Sequence, residues 1–338
     1  MSFLPEIQQI ENKIQELGAS ARSEILAYSE LGNLKFPIHK VSFGSLDPQA
    51  PVLGFVGGVH GLERIGAQVC LALMNSLAEL AAWDKGLQRT LQDIRIFFIP
   101  TVNPVGIYRK TRCNPHGVDL MRNAPVEADA PQPWIGGHRF SRKLPWYRGE
   151  LGADMEIESH ALVQAVQKEI SQSRLALTLD IHSGFGLQDQ LWFPYAKTVQ
   201  PFPDLHHAFS LKQLLDRTYP YHFYRFEPQA KNYTTHGDLW DYLYDQTPRS
   251  QSEQIYLPLC LEMGSWLWVK KNPLQIFKAE GPFNPLIGHR HKRTLRRHNT
   301  LMEFLIRAVS SPESWISASS EVQAQHRLAA QELWYGGV

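Results

Sequence analysis

Cysteine is scarce in this chain. Three occur among 338 residues, Cys70, Cys113 and Cys260, far apart and in no metal-like cluster. That excludes a disulfide framework and a cysteine-built metal site, and it suits reduced thiols in a cytoplasmic protein. An excess of one charge is missing too: 34 basic against 33 acidic residues leave a formal net charge of +1. Nothing in that balance calls for nucleic acid or a membrane surface as a partner. No uninterrupted apolar run approaches the roughly 18 residues of a membrane span. The opening stretch, MSFLPEIQQIENKIQELG, lacks the basic start and apolar block of a secretory signal. Internal repeats and low-complexity tracts are absent as well.

What is present is an alternation of apolar runs and helical patterns. Residues 5–17 place Ile7, Ile10 and Ile14 on one helical face. KFPIHKVSFG (35–44) reads as a strand, and its proline suggests an edge. PVLGFVGG (51–58) and DIRIFFIPTVNP (93–104) are nearly continuous apolar runs, as expected of strands buried on both faces. Further strands are expected within 175–186, 190–196, 221–228 and 254–264. Helices are expected over about 64–83 and near 155–170, 203–217 and 293–309. This order predicts an α/β domain with a mixed, centrally parallel sheet and helices on both faces. We expect one catalytic domain over 1–310, its N-terminal helix included, and a C-terminal extension over 311–338. The proline- and glycine-rich stretch 124–150 carries Trp134, His138, Phe140, Trp146 and Tyr147, which favours a packed rim over a linker.

Polar residues gather at the ends of the expected strands, where open α/β sheets build their sites. His60 and Glu63 follow the 51–58 strand in GGVHGLERIG, and Gly57, Gly58 and Gly61 allow a tight turn there. His182 ends one strand in LDIHSG, and Glu262 ends another in LCLEMGS. Arg109, Arg112 and Arg122 follow the 93–104 strand. Two histidines and a glutamate are a recognised set for catalytic zinc with one position open. Water at that position has its pKa lowered to about 7. Glu262 is the candidate to move the proton, and an arginine the candidate for the oxyanion. Taken alone, H-x-x-E is a common accident and His182 an ordinary strand-end histidine; the joint pattern carries the reading. His206, His207 and His222 read as surface or packing residues, with no third ligand at a suitable spacing. The basic stretch 288–298 reads as a solvated helix start.

These blocks resemble the carboxypeptidase A-like zinc metallocarboxypeptidases. HGLE (60–63), NPVGIYRKTR (103–112), GVDLMRN (117–123), IHSG (181–184), NYTTHGDLWDYLY (232–244) and LEMG (261–264) follow the family's order. The resemblance implies one Zn2+ per chain, held by His60, Glu63 and His182, with Glu262 as general base and acid. Arg109 or Arg112 would serve the oxyanion, and Arg122 would grip a substrate carboxylate. Asp119 would orient His60, Tyr233 would cap the substrate, and Trp240 would shape the side-chain pocket. The implied activity is removal of a C-terminal residue from peptides. The alternative is a zinc-dependent deacylase or amidase acting on N-acyl amino acids or peptidoglycan stem peptides. A silent binding module is disfavoured by retention of all three ligands and the base. Two departures stand on the substrate side. Met121 replaces the family's asparagine, and Gly184 replaces a residue that is often aromatic. They imply that zinc chemistry is kept while recognition of a plain peptide C-terminus is altered.

Overall fold

α1 (Pro5–Leu17) begins on a proline, whose missing N–H costs nothing in a first turn, and buries Ile7 and Ile10. β1 (Arg22–Leu31) and β2 (Leu34–Gly44) form an antiparallel pair. β3 (Val52–Gly57) leads through the His60 turn into α2 (Arg64–Trp83), then α3 (Lys85–Asp93), β4 (Arg95–Ile99) and α4 (Pro104–Arg109). After the long loop come α5 (Ile157–Ile170), β5 (Leu175–Ser183), β6 (Gln190–Phe193), α6 (Leu205–Thr218), β7 (Arg225–Pro228), α7 (Leu239–Gln246) and β8 (Ile255–Met263). The chain continues with α8 (Trp266–Lys271), α9 (Gly288–Arg297), α10 (Asn299–Ser310) and α11 (Ser320–Tyr335). This computed structural model describes residues 4–247 and 254–336; residues 1–3 and 337–338, the outer ends of the expected domain and extension, lie outside it.

The eight strands form one sheet in the order β1-β2-β4-β3-β5-β8-β6-β7. The central four run parallel, while β2 joins β4, and β6 joins β8, antiparallel. The mixed, centrally parallel sheet expected from the alternation is therefore the one found. β3, β4 and β5 are buried at every residue, as strands covered on both faces must be. α2 lies on β3, β4 and β5, α10 lies beside it on β3 and β5, and α9 packs on α2, while α5 lies on β3 and on α7, which covers β8. Strand order reverses between β3 and β5, so the chain leaving β3 and the chain leaving β5 run to opposite sides, where such sheets form a crevice.

Several local readings change. β2 is not an edge, because β1 lies outside it. Pro37 is tolerated because β4 pairs with β2 only over Val41–Gly44, leaving the strand one-sided at the proline. β1 escaped the period-two pattern because a bulge between Ile25 and Ala27 breaks its alternation. The helix expected near 293–309 is two helices, broken at His298. α2 does contain an 18-residue window of mean hydropathy 1.4, which counting uninterrupted apolar residues overlooked. That window is 56% buried against the sheet and its neighbouring helices. At the C-terminal end, α11 packs on α6 and buries Trp334 beside Phe193 and Phe226.

Candidate active site

The turn after β3 is shaped by close packing. A Cβ on Gly61 would lie 2.0 Å from the carbonyl carbon of Gly106 at the start of α4, so only glycine lets the two segments touch. Asn103 clasps the same region. Its Oδ1 accepts from the Gly106 N–H at 2.8 Å, and its Nδ2 donates to the carbonyls of Val59 and Arg112 at 3.3 Å each. One asparagine thus holds the His60 turn against the backbone of Arg112.

His60, Glu63 and His182 converge with their ligand atoms all within 4.8 Å of one another, and all three are buried. Glu63 lies between the two rings: His60 Nδ1 is 2.8 Å from Oε1, and His182 Nδ1 is 3.0 Å from Oε2. On its far edge each ring meets a second carboxylate. His60 Nε2 is 3.0 Å from Asp119 Oδ1, and His182 Nε2 is 2.6 Å from Asp180 Oδ2. A carboxylate only accepts, so a neutral imidazole can serve just one of its two carboxylates; where it serves Asp119 or Asp180, Nε2 carries the proton. In neutral imidazoles that leaves both Nδ1 lone pairs aimed at the Glu63 oxygens, an arrangement a cation between them would satisfy. Charge gives the same answer. Glu63, Asp119, Asp180 and Glu262 are four buried carboxyl groups, and Arg112 is the guanidinium that bonds into them. The donor set, two nitrogens and a carboxylate with outer carboxylates fixing the tautomers, fits zinc.

Electrostatics follow from this crowding. Burial pushes the Glu63 carboxyl up, but His60 and His182 outweigh it and hold it well below the usual range. Burial likewise opposes ionisation of Asp119, and Arg112 and His60 reverse the effect. For Glu262 the pull of His182 and Arg112 is outweighed. Burial and the neighbouring Glu63 push its carboxyl up to about 8. It sits on β8 in register with His182 on β5, which places it at the rim of the cluster.

The structure separates the two arginines left open by the sequence. Arg112 donates Nε to Asp119 Oδ2 at 2.8 Å and Nη1 to Glu63 Oε1 at 3.2 Å. Arg109 is exposed on the last turn of α4, where Lys110 turns left-handed and ends the helix, so the oxyanion role cannot be assigned to it. Arg122 is buried, donates twice to the Ile135 carbonyl at 3.3 Å, and faces the Tyr233 ring at 5.9 Å. Tyr233 packs against Trp192 and Phe185. Trp240 is buried, and its indole N–H donates to Asp180 Oδ2 at 2.8 Å. Met121 is buried in the apolar core. Asp180 is the residue the sequence reading missed. Its signal was the D-I-H spacing, which puts Asp180 and His182 on one face of a strand.

A zinc carboxypeptidase family model matches residues 21–270. The chain belongs to the zinc carboxypeptidase family. The rat carboxypeptidase N catalytic chain is 30% identical over 175 residues, which are 46% of this chain and 35% of that protein. Carboxypeptidase SOL1 of Arabidopsis thaliana is 26% identical over 118 residues, 31% of this chain and 24% of that protein. The chain thus spans about a third or less of these curated relatives. Among solved structures, the fold is similar to that of thrombin-activatable fibrinolysis inhibitor, with TM-score 0.65 and 16% identity over 90% of this chain and 72% of that one. It is also similar to carboxypeptidase A from Helicoverpa armigera, with TM-score 0.58 and 17% identity over 86% of this chain and 71% of that one.

The zinc carboxypeptidase fold leaves two features outside the cluster. Ligand atoms of Asp204, His206 and His207 also lie within 4.8 Å of one another, so the third donor that sequence spacing failed to reveal is Asp204, and both histidines are buried, as packing residues are. Arg327 donates into His206 Nδ1 at 3.1 Å, and the group sits at the N-terminus of α6; both disfavour a cation. His222 is apart from them, bonded to Asp216. A cavity of about 1060 Å³ lies beneath the long loop, lined among others by Arg139, Tyr147, Arg148 and Glu156, and by none of His60, Glu63, His182 or Glu262.

Proposed function

We propose that the protein is a zinc metallocarboxypeptidase that removes the C-terminal residue of peptides. One observation carries the reading: His60, Glu63 and His182 meet at the carboxyl ends of β3 and β5, with Glu262 in register beside His182. His60, Glu63 and His182 would hold one Zn2+. Zinc, when bound, supplies Lewis acidity to the scissile carbonyl and to a hydrolytic water. Glu262 takes a proton from the attacking water and passes it to the leaving amine nitrogen; a carboxyl raised by burial suits both halves of that task. Arg112 is the cation at hand for the developing oxyanion. Arg122 binds the terminal carboxylate of the substrate, with Tyr233 above it. Met121 contributes no hydrogen bond to that carboxylate, so the grip falls on the arginine.

The test is a mass-spectrometric survey of the zinc-loaded protein against free-ended peptides, their C-terminally amidated twins and N-acyl amino acids. Loss of single residues from the free-ended peptides alone supports the proposal. Cleavage confined to N-acyl amino acids would replace it with a deacylase.

A further inference from the structure

Glu63 is the residue at the N-cap of α2, yet its side chain caps nothing, because its carboxylate faces His60 and His182. The first turn of a helix leaves N–H groups that need acceptors. Here one is satisfied from far along the chain. Asn284 Oδ1 accepts from the Ile65 N–H at 2.9 Å, across 219 residues of sequence. The Nδ2 of the same amide donates to the Leu62 carbonyl at 2.7 Å and to the Glu280 carbonyl at 2.8 Å. Asn284 therefore grips the backbone on both sides of Glu63. It is itself pinned, since buried Gln275 donates to its carbonyl at 3.2 Å and to that of Gly281 at 2.6 Å.

The next residue back holds the other metal segment. Ser183 Oγ donates to the Phe283 carbonyl at 2.7 Å, while the Ser183 N–H donates to Glu63 Oε2 at 3.0 Å. The Phe283 ring occupies the space beside Gly184: a Cβ there would lie 2.9 Å from Cδ1, at a φ of +139° that disfavours any side chain. The stretch 280–284 thus straps the His60–Glu63 turn to the His182 strand, and it lies beyond the residues matched by the family model.

We propose that Asn284 is a positioning residue for the metal site, fixing the direction of the Glu63 carboxylate through the backbone at Leu62 and Ile65. The inference rests on the reading of His60, Glu63 and His182 as zinc ligands. Groups that hold a ligand in place typically contribute 10–100-fold in metal affinity. The test uses the full chain. Zinc affinity is measured by competition with a chromophoric chelator, and the cobalt-substituted protein is examined by its visible d–d spectrum. Asn284→Ala should weaken zinc about 10–100-fold and change the cobalt spectrum. Ile10→Val, a core variant on α1 outside the strap, should lower thermal stability while leaving both readouts unchanged. If Asn284→Ala does not fold, Asn284→Ser carries the same readouts. A folded Asn284 variant with wild-type zinc affinity and cobalt spectrum overturns the inference, as does an equal loss of affinity in Ile10→Val. Wild-type protein that binds no zinc overturns the metal site itself, a distinct result seen before any variant is made.

Discussion

His182 and Glu262 stand opposite one another on the parallel strands β5 and β8. Because paired residues of neighbouring strands share a face, the metal-side histidine and the candidate base emerge together into the crevice. Glu262→Gln should keep that geometry and remove the titrating group. Turnover is expected to fall roughly a hundredfold to ten-thousandfold with zinc content unchanged. Steady-state kinetics beside metal analysis check both halves, and a variant with near-wild-type kcat would remove Glu262 from the mechanism.

Asp180 receives two donors on one oxygen, His182 Nε2 and the Trp240 indole. Asp180→Asn should release His182 from its tautomer and weaken zinc binding about 10–100-fold, without touching a ligand. Trp240→Phe removes only the second donor and should have a smaller effect in the same direction. Equal zinc affinity in wild type and Asp180→Asn would refute the orienting role.

Glu63, Asp119, Asp180 and Glu262 are four buried carboxyls around the candidate zinc site. Zinc at about a hundred times its dissociation constant should add about 2.7 kcal/mol of stability by mass action. Differential scanning calorimetry with zinc and with chelator measures this directly. Unchanged melting temperatures would count against a site formed by His60, Glu63 and His182.

Three histidines outside the site oppose acid. Burial, with Arg297 adding, pushes His298 down to about 3; burial also lowers His206, beside His207, and His207, beside Arg327, to about 4. The unfolded chain protonates them near pH 6.5, whereas the folded chain resists until far lower. Their contribution to stability is therefore complete above about pH 6.5. It is lost as pH falls, at roughly 1.4 kcal/mol per unit for each group until its folded pKa is reached. The Tyr224 hydroxyl and His298 Nδ1 share a hydrogen bond at 2.9 Å. His298→Gln keeps an acceptor there and should flatten the acid limb of a melting curve taken from pH 7 to 4.5. Parallel curves for the two proteins would show that His298 does not drive the acid sensitivity.

Gly61 should be intolerant of even a methyl group. A Cβ at 2.0 Å from the Gly106 backbone has no flexible neighbour to displace. Gly61→Ala is expected to destabilise by about 1–3 kcal/mol, the usual range for overpacking, and to weaken zinc by shifting His60. A melting curve matching wild type would mean that α4 moves aside without cost.

Much of this was legible in the sequence, and for a physical reason. β3, β4 and β5 are buried on both faces, so continuous apolar runs revealed them. His60 and Glu63 share one turn, so local spacing identified the pair. Other relations had no local signature. Arg109 and Arg112 are equivalent in composition; the left-handed turn at Lys110 decides which of them reaches Asp119. Nothing in the segment around Trp240 showed that the packing of α7 on β8 aims its indole at Asp180. Asn284 is an ordinary polar residue in its own segment, and only folding brings it to the backbone around Glu63. Sequence alone made the central strands and the candidate ligands and base legible, because burial and turn chemistry act between near neighbours. Tertiary structure decided which distant groups orient those ligands, because a hydrogen bond depends on positions in space that chain spacing does not encode.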